Sequence, residues 1–211
     1  MVDTKLDKYI EKYSTQENEI LYKLNRETNL SVLRARMISG HVQGQFLKMF
    51  VQILKPKNIL EIGTFTGYSA ISMALGLEND AKLYTIENND ELEEIIDKYI
   101  TEAKLEDKIE LIMGDALSAI QNLDIKFDLV FIDANKREYL NYYNEVIEKL
   151  NSGGIIIADD VLWSGKVTQE IKSNDEQTKG IIKFNEFVKD DSRVENVIIP
   201  LRHGINIIRK K

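Results

Sequence analysis

From Pro56 onward, short apolar runs alternate with longer amphipathic stretches, and this alternation constrains the fold more than any other feature. The runs have the length and β-branched composition of strands, whereas the stretches between them have the apolar spacing of helices. Strands that alternate with helices form βαβ units, in which helices cover both faces of a mostly parallel sheet. The seven predicted strands are Ile59–Ile62, Leu83–Ile86, Ile109–Ile112, Phe127–Ile132, Ile155–Ala158, Val197–Ile199 and Ile205–Ile208.

The two ends of the chain complete this prediction. The last two strands are joined by a turn around His203–Gly204, which leaves no room for a crossover helix, so we expect an antiparallel final strand. The spacing before Pro56 is helical, and no linker interrupts the chain. We therefore predict one α/β domain over residues 1–211, with N-terminal helices in 1–55 and the sheet core in 56–211. One predicted helix face comprises Phe46, Leu47, Phe50, Val51 and Leu54, and another comprises Tyr139, Leu140, Tyr143, Val146, Ile147 and Leu150.

The composition excludes several classes of protein. The chain contains no cysteine, which excludes disulfides, thiolate metal sites and a cysteine nucleophile. The longest apolar runs, such as Gly154–Ala158, are far shorter than the ~20 residues that span a bilayer. The polar segment Met1–Lys5 does not have the pattern of a signal peptide. A net charge of −7 gives no general attraction to nucleic acid. We expect a cytoplasmic protein with no DNA partner and no membrane association.

Five successive predicted strands end in a glycine or in acidic residues. In open α/β sheets, ligands bind beyond the carboxyl ends of the strands, at the point where the strand order reverses. Several carboxylates at that edge repel one another unless a cation or a hydroxyl-rich ligand lies among them. The residues at these ends are Gly63, Glu87, Asp115, Asp133 and the pair Asp159–Asp160.

The loop after the first predicted strand favours a nucleoside ligand. Gly63 and Gly67 allow a tight turn and a close approach of the backbone to a ligand. The pattern lacks the middle glycine of the dinucleotide fingerprint, which argues against a pyrophosphate. Glu87 follows Gly67 by about 20 residues, where an acidic residue accepts ribose hydroxyls in such folds. Taken one at a time, the glycines are equally consistent with a simple turn and Glu87 with a helix cap.

Asp133, Asp159 and Asp160 converge if the fourth and fifth strands are neighbours. Three oxygen ligands suit a hard cation such as Mg²⁺, and also Mn²⁺ or Ca²⁺, whereas the scarcity of histidine argues against zinc. Lys136 follows Asp133 by one short turn, so it is a candidate general base beside that cation. On spacing alone, a surface lysine and helix-capping aspartates remain an open alternative.

Three ordered segments, Glu61–Ser69, Phe131–Lys136 and Ala158–Gly165, resemble those of a known family. The family is that of the cation-dependent O-methyltransferases, which includes the caffeoyl-coenzyme A and catechol O-methyltransferases and many bacterial relatives. The likeness extends from Met37 to Gly204. It implies a Rossmann-like class I methyltransferase fold and an enzyme that transfers a methyl group from S-adenosylmethionine to a hydroxyl oxygen.

The resemblance also implies roles for individual residues. Glu87 would hold the ribose, and Asp115 and Ala116 would border the adenine. Lys136, with Asp133, would be catalytic, the lysine acting as the base. The implied metal ligands are Asp133, Asp159 and Asp160, and the other implied cofactor contacts are Met37, Ser39, Glu61, Gly63, Thr64, Phe65, Ser69 and Asp133.

This chain departs from the family pattern at two places. The family usually has Asp-Asn where this chain has Asp159–Asp160, so the proposed metal site carries an extra negative charge. The family often has Gly-Asp-Gly where this chain has Arg202–Gly204. Because that loop lies near the implied substrate, the second departure concerns substrate identity more than chemistry.

Two substrate classes remain open at this point. One is a small catechol-like or vicinal-diol molecule, walled by Trp163 and by Tyr142 or Tyr143. The alternative is tRNA, because some bacterial relatives methylate a hydroxylated uridine in tRNA. A rim of basic residues would then bind phosphates. Its members would be Arg34, Arg36, Lys166, Arg202, Arg209, Lys210 and Lys211.

Two other classes of function fit the sequence less well. A nicotinamide-dependent oxidoreductase is disfavoured by the missing glycine and by the carboxylate cluster. A non-catalytic cofactor-binding module is disfavoured because the three aspartates and Lys136 are all present. Apolar positions in the N-terminal helices, among them Ile10, Tyr13 and Leu24, would cover the sheet or pair with a second subunit. The resemblance implies a homodimer.

Overall fold

The computed structural model describes residues 4–211 as helices that surround one sheet. Within that part of the chain, no helix is long and apolar enough to cross a membrane. The α-helices are α1 Thr4–Tyr13, α2 Glu19–Ser31, α3 His41–Leu54, α4 Tyr68–Ala74, α5 Glu93–Glu102, α6 Ala116–Asn122, α7 Tyr139–Lys149 and α8 Glu176–Asp190. The strands are β1 Asn58–Ile62, β2 Lys82–Glu87, β3 Ile109–Met113, β4 Phe127–Ile132, β5 Leu150–Ala158, β6 Val194–Ile199 and β7 Ile205–Lys210.

The seven strands form one sheet in the order β3-β2-β1-β4-β5-β7-β6. The first five strands are parallel, and β7 pairs antiparallel with both β5 and β6. The predicted sheet, including its antiparallel final strand, is therefore confirmed. The strand order reverses between β1 and β4, which is where such a fold binds its ligand.

Two strands begin several residues earlier than the sequence predicts. β5 starts at Leu150, which was assigned to the preceding helix face, and β6 starts at Val194. Leu150 pairs with Phe127, and the register shifts between Phe127 and Leu129. The irregular start of β5 breaks the alternation on which a strand prediction depends, so the pattern alone located only its regular second half.

The core lies in two layers, one on each face of the sheet. Along β4, Leu129 and Phe131 pack with α2, α3, α4 and α5 on one face, whereas Val130 and Ile132 pack with α6, α7 and α8 on the other. All four side chains are fully buried. Strands buried on both faces have continuous apolar runs rather than alternating ones, which explains the sequence pattern of β4.

The N-terminal helices cover the sheet in part. The predicted apolar face of α3 is confirmed, since Leu47 and Val51 are buried and Phe50 packs against them. In α2, Leu24 is fully buried. In α1, by contrast, Tyr13 is 67% exposed. The sequence left covering the sheet and pairing with a second subunit as alternatives for these helices, and the structure assigns the first to α2 and α3.

Close packing between α3 and α4 holds the N-terminal helices against the face of the sheet that α4 covers. At Gly44, near the start of α3, a Cβ atom would lie 2.7 Å from Ser72 Oγ and 2.7 Å from Tyr68 Cε1 of α4. Both of these α4 side chains are buried and have no room to move away. The glycine therefore allows the two helices to approach each other, at some cost in helix propensity.

Gly44→Ala is expected to destabilise the protein by about 1–3 kcal/mol, because overpacking outweighs the gain of about 1 kcal/mol in helix propensity. The free energy of unfolding by urea measures the effect. Gln52→Ala, at an exposed position of the same helix, is the control and should change little. An equal or greater stability of Gly44→Ala would show that α3 and α4 are not packed this closely.

Candidate active site

A cavity of about 480 Å³ lies at the carboxyl ends of β1, β2 and β4. Its walls come from the loop after β1, the ends of the neighbouring strands and a segment that precedes α3. Of the residues implied as cofactor contacts, all but Glu61 line it. The lining residues among the sequence-predicted set are Met37, Ser39, Gly63, Thr64, Phe65, Ser69, Glu87, Asp115, Ala116, Asp133, Lys136 and Asp160.

The loop between β1 and α4 forms the floor of the cavity. Gly63 has a φ of 98°, and a Cβ atom there would lie only 2.2 Å from the carbonyl oxygen of Asp133. Only glycine fits this position, since the backbone angle and the contact both exclude a side chain. Gly63 itself lines the cavity.

Glu87, at the end of β2, is held in place by backbone amides. Its side chain accepts hydrogen bonds from the amides of Phe65 at 2.7 Å, Asn88 at 3.0 Å and Asn89 at 2.9 Å. These contacts fix the carboxylate at the cavity wall and tie the glycine loop to β2. A carboxylate has about four lone-pair directions, so acceptor capacity remains for the hydroxyls of a ligand.

Asp115 both lines the cavity and caps α6. Its Oδ1 accepts from the amide and from the hydroxyl of Ser118, each at 2.9 Å, and these bonds lower the pKa of Asp115. Ala116, the first residue of α6, also lines the cavity. The capping role and the position at the cavity wall therefore coexist in this residue.

Glu61 lies behind the cavity wall. It is fully buried, it accepts a hydrogen bond from Thr85 Oγ1 at 2.5 Å, and its Oε1 has no partner. Burial raises the pKa of Glu61 to about 8, against the opposing effect of hydrogen bonds from Ser69 and Thr85. Since Ser69 does line the cavity, Glu61 borders it through that hydroxyl.

The three predicted metal-binding aspartates lie on neighbouring strand ends. Asp133 follows β4 and Asp159 follows β5, and the last residues of these strands, Ile132 and Ala158, are paired. Burial and the charges of Asp133 and Asp160 raise the pKa of Asp159 to about 7. The two strands are neighbours, as the prediction requires, and their ends concentrate negative charge.

Lys136 places its ammonium among these carboxylates. Its Nζ lies 2.6 Å from Asp133 Oδ1, 3.1 Å from Asp160 Oδ2 and 2.7 Å from the hydroxyl of Tyr139, and only 6% of the residue is exposed. Burial by itself lowers the pKa of Lys136, but Asp133, Tyr139 and Asp160 outweigh it and raise the pKa well above 10.5. The lysine is therefore a buried ammonium.

The side chains of the three aspartates do not surround a common point. Among residues 4–211, no three His, Cys, Asp or Glu side chains are arranged to hold a metal ion. Asp159 instead accepts hydrogen bonds at 2.7 Å from Gln43 Nε2 and at 2.7 Å from the amide of Asp160. The three aspartates nevertheless suit a hard cation, since the side-chain atoms that could bind it are all carboxylate oxygens.

Aromatic side chains close the cavity beside the carboxylates. Trp163 lines it, with its ring 5.9 Å from Lys136 Nζ and 5.7 Å from Lys166 Nζ. Tyr142 also lines it and is 6% exposed. Tyr143 does not, because its hydroxyl donates to Asp191 at 2.9 Å within the α7–α8 layer. Of the two tyrosines considered, only Tyr142 can touch a substrate here.

Three residues near the carboxylates were missed by the sequence reasoning. Tyr139, assigned to helix packing, also holds Lys136. Gln43 contacts Asp159, and its only sequence signal is a polar residue on the apolar face of α3 that includes Leu47. Arg202 contacts Gln43 at 2.7 Å, whereas the sequence placed it only in a basic rim and in a loop near the substrate.

The residues of the postulated basic rim do not gather around the cavity. Ala158, at the carboxyl end of β5, pairs with Asn206, whereas Arg209 pairs with Ile155. Arg209 therefore lies farther from the strand ends that form the cavity. There it forms an ion pair with Glu195 at 2.9 Å, while Lys210 donates to backbone carbonyls. Of the seven residues, only Arg34 lines the cavity. The geometry gives no support to a tRNA-binding rim.

Comparison with known proteins agrees with this geometry. The model of the O-methyltransferase family matches residues 11–211. Caffeoyl-CoA O-methyltransferase 1 of Eucalyptus globulus is 35% identical over 187 residues, which is 82% of this chain and 75% of that protein. The caffeoyl-CoA O-methyltransferase of Stellaria longipes is 30% identical over 205 residues, or 92% and 85% of the two chains.

Solved structures give the same result. An O-methyltransferase from Bacillus cereus, in complex with SAH, has a TM-score of 0.91 at 30% identity and covers 99% of this chain and 98% of its own. TomG from Streptomyces achromogenes, an O-methyltransferase of tomaymycin synthesis in complex with SAM, has a TM-score of 0.91 at 27% identity with full coverage of both chains. The matched family, the sheet order and the cavity at its switch point agree: the chain belongs to the O-methyltransferase family and is an S-adenosylmethionine-dependent O-methyltransferase.

Proposed function

We propose that this enzyme methylates one hydroxyl of a small catechol-like or vicinal-diol substrate, with a divalent cation held by Asp133, Asp159 and Asp160. The observation that carries the proposal is the buried cluster at the end of the cofactor cavity, where Lys136 Nζ lies 2.6 Å from Asp133. A carboxylate cluster beside a lysine suits a reaction in which a substrate hydroxyl must lose its proton.

The cavity residues divide the cofactor among them. Glu87, fixed by three amides, accepts the ribose hydroxyls, and Asp115 with Ala116 borders the adenine. The bare backbone at Gly63 contacts the methionine part, together with Thr64, Phe65 and Ser69. Met37 and Ser39 cover it from the other side. Glu61 lies behind Ser69 with an unpaired buried oxygen and a pKa raised to about 8, and a cationic cofactor would favour its ionised form.

Mg²⁺ is the cation that we favour, with Mn²⁺ or Ca²⁺ as less selective alternatives. Burial and the charges of Asp133 and Asp160 raise the pKa of Asp159, and a cation beside these carboxylates would offset both effects. When bound, the ion would orient two neighbouring substrate oxygens and lower the pKa of the hydroxyl to be methylated.

Lys136 would take the hydroxyl proton at Nζ. Asp133 and Asp160 stabilise the ammonium form of Lys136. In that form the lysine cannot accept a proton. If Asp133 and Asp160 held a cation, they would no longer stabilise the ammonium. Lys136 would release its proton to solvent, and burial would favour the neutral amine that accepts the hydroxyl proton. Tyr139, whose hydroxyl contacts Nζ at 2.7 Å, keeps the side chain directed at the cluster.

The walls of the cavity favour a flat and small substrate part. Trp163 and Tyr142 line it on the side of the carboxylates, where an aromatic diol has apolar faces to bury. The names of the plant relatives point in the same direction, since a caffeoyl group carries two adjacent hydroxyls. A homodimer and a cytoplasmic location stay predictions.

Lys136→Ala and Asp133→Ala should each lower turnover by at least about 100-fold, since both remove a group from the proton-transfer step. Turnover of a catechol with S-adenosylmethionine and Mg²⁺ measures the loss. Titration calorimetry should show cofactor affinity close to wild type, and Lys189→Ala, at an exposed position of α8, serves as the control. Near wild-type turnover in either active-site variant would remove that residue from the mechanism.

Asp160→Asn should raise the Mg²⁺ concentration needed for half-maximal turnover by on the order of ten-fold, because the site loses one negative charge. Turnover at saturating Mg²⁺ should survive, since the amide oxygen is still a hard ligand. Asp190→Asn, an exposed position, is the matched control. An unchanged Mg²⁺ requirement in Asp160→Asn would show that Asp160 is not a ligand.

A further inference from the structure

Arg202 reaches from the turn between β6 and β7 to the segment that covers the cofactor cavity. Its guanidinium donates to the carbonyl of Ser39 and, at 3.0 Å, to the carbonyl of Ile38. Ser39 is 6% exposed and lines the cavity, as does Ile38. The two carbonyls are held by one planar, charged group, and charge-assisted bonds of this kind are stronger than neutral ones.

The guanidinium is itself anchored in the core. Its NH1 donates at 2.7 Å to Gln43 Oε1, and Gln43 Nε2 donates at 2.7 Å to Asp159 Oδ2. Gln43 is 1% exposed, so loss of Arg202 would leave a buried amide oxygen without a donor. A chain of hydrogen bonds therefore runs from Asp159 through Gln43 and Arg202 to the covering segment.

The turn that carries Arg202 is fixed on its other side as well. The amide of Leu162 donates to the carbonyl of His203 at 2.8 Å, and the amide of Val161 donates to that of Gly204 at 2.9 Å. Arg202 adopts a φ of 51°, a left-handed conformation that costs a non-glycine residue free energy. The strain is retained where the surrounding contacts determine the conformation.

We propose that Arg202 is a positioning residue that holds the segment Met37–Ser39 closed over S-adenosylmethionine, with Gln43 and Asp159 as its anchor. Arg202 does not line the cavity, so it acts through the segment and not on the cofactor. The inference rests on the proposed function, because it takes Met37 and Ser39 to be the cover of the bound cofactor. It also gives Arg202 a role that the basic rim did not.

Arg202→Gly is the sharpest test, because glycine suits a φ of 51° and removes only the side chain. Relief of the backbone strain offsets part of the cost of the unpaired Gln43 oxygen, so the thermal unfolding midpoint should fall by only a few degrees. We expect SAH affinity, measured by calorimetry without metal, to fall about ten-fold, as the loss of charge-assisted bonds predicts. The KM for S-adenosylmethionine should rise more than kcat falls. Arg202→Lys keeps the charge without the fork and should rescue part of the affinity.

Hydrogen exchange of the ligand-free protein provides the second measurement. Amides of residues 37–43 should exchange faster in Arg202→Gly than in wild type, whereas Arg209→Ala, which loses a surface pair with Glu195, should leave them unchanged. Wild-type exchange together with wild-type SAH affinity in Arg202→Gly would overturn the inference. A wild-type protein that does not bind SAH would contradict the proposed cofactor site instead, and the exchange rates would still decide whether Arg202 fixes the segment.

Discussion

The contact between the carboxyl ends of β1 and β4 is the constraint on which the site depends. Gly63 and the carbonyl of Asp133 approach so closely that a Cβ atom would lie 2.2 Å from that oxygen. This contact joins the loop that receives the cofactor to the strand end that carries the first carboxylate. Because the strand order reverses here, the two helical layers diverge and leave the cavity open. Methyl donor and acceptor can then share one space without any further domain.

Charge balance at the second strand end decides what the site can do. Three carboxylates and one ammonium occupy a buried volume, and the pKa of Asp159 rises to about 7 while that of Lys136 rises above its usual value. Under the proposed mechanism these residues have two states. In the first, which the structure shows, Lys136 neutralises part of the carboxylate charge. In the second, the carboxylates would hold a divalent cation and Lys136 would be a neutral amine. Asp160 strengthens the first state, since it adds an ion pair at 3.1 Å that an asparagine would lack.

The sequence predicted the features that depend on local pattern. Strand ends such as Gly63, Glu87 and Asp133 follow directly from short apolar runs, and the parallel topology then places them at one edge. It did not predict Gln43 or Arg202, because their partners lie 116 and 159 residues away and come together only through tertiary packing. Tyr139 satisfied the helical period and so looked like core, while its hydroxyl serves Lys136. Arg209 and Lys210 of the basic rim lie away from the cavity for a topological reason, since the antiparallel β7 carries them to the other end of the strands.

The central claim is that the carboxylate cluster supports methyl transfer to a diol only with a divalent cation. The most direct test is turnover of a catechol with S-adenosylmethionine after treatment with a chelator, before and after Mg²⁺ is restored. Turnover is expected to be lost with the chelator and to return with Mg²⁺, while cofactor binding persists throughout. Undiminished turnover in the chelator would contradict it, and would leave Lys136 and the three aspartates as an ion-paired cluster without a cation in the reaction.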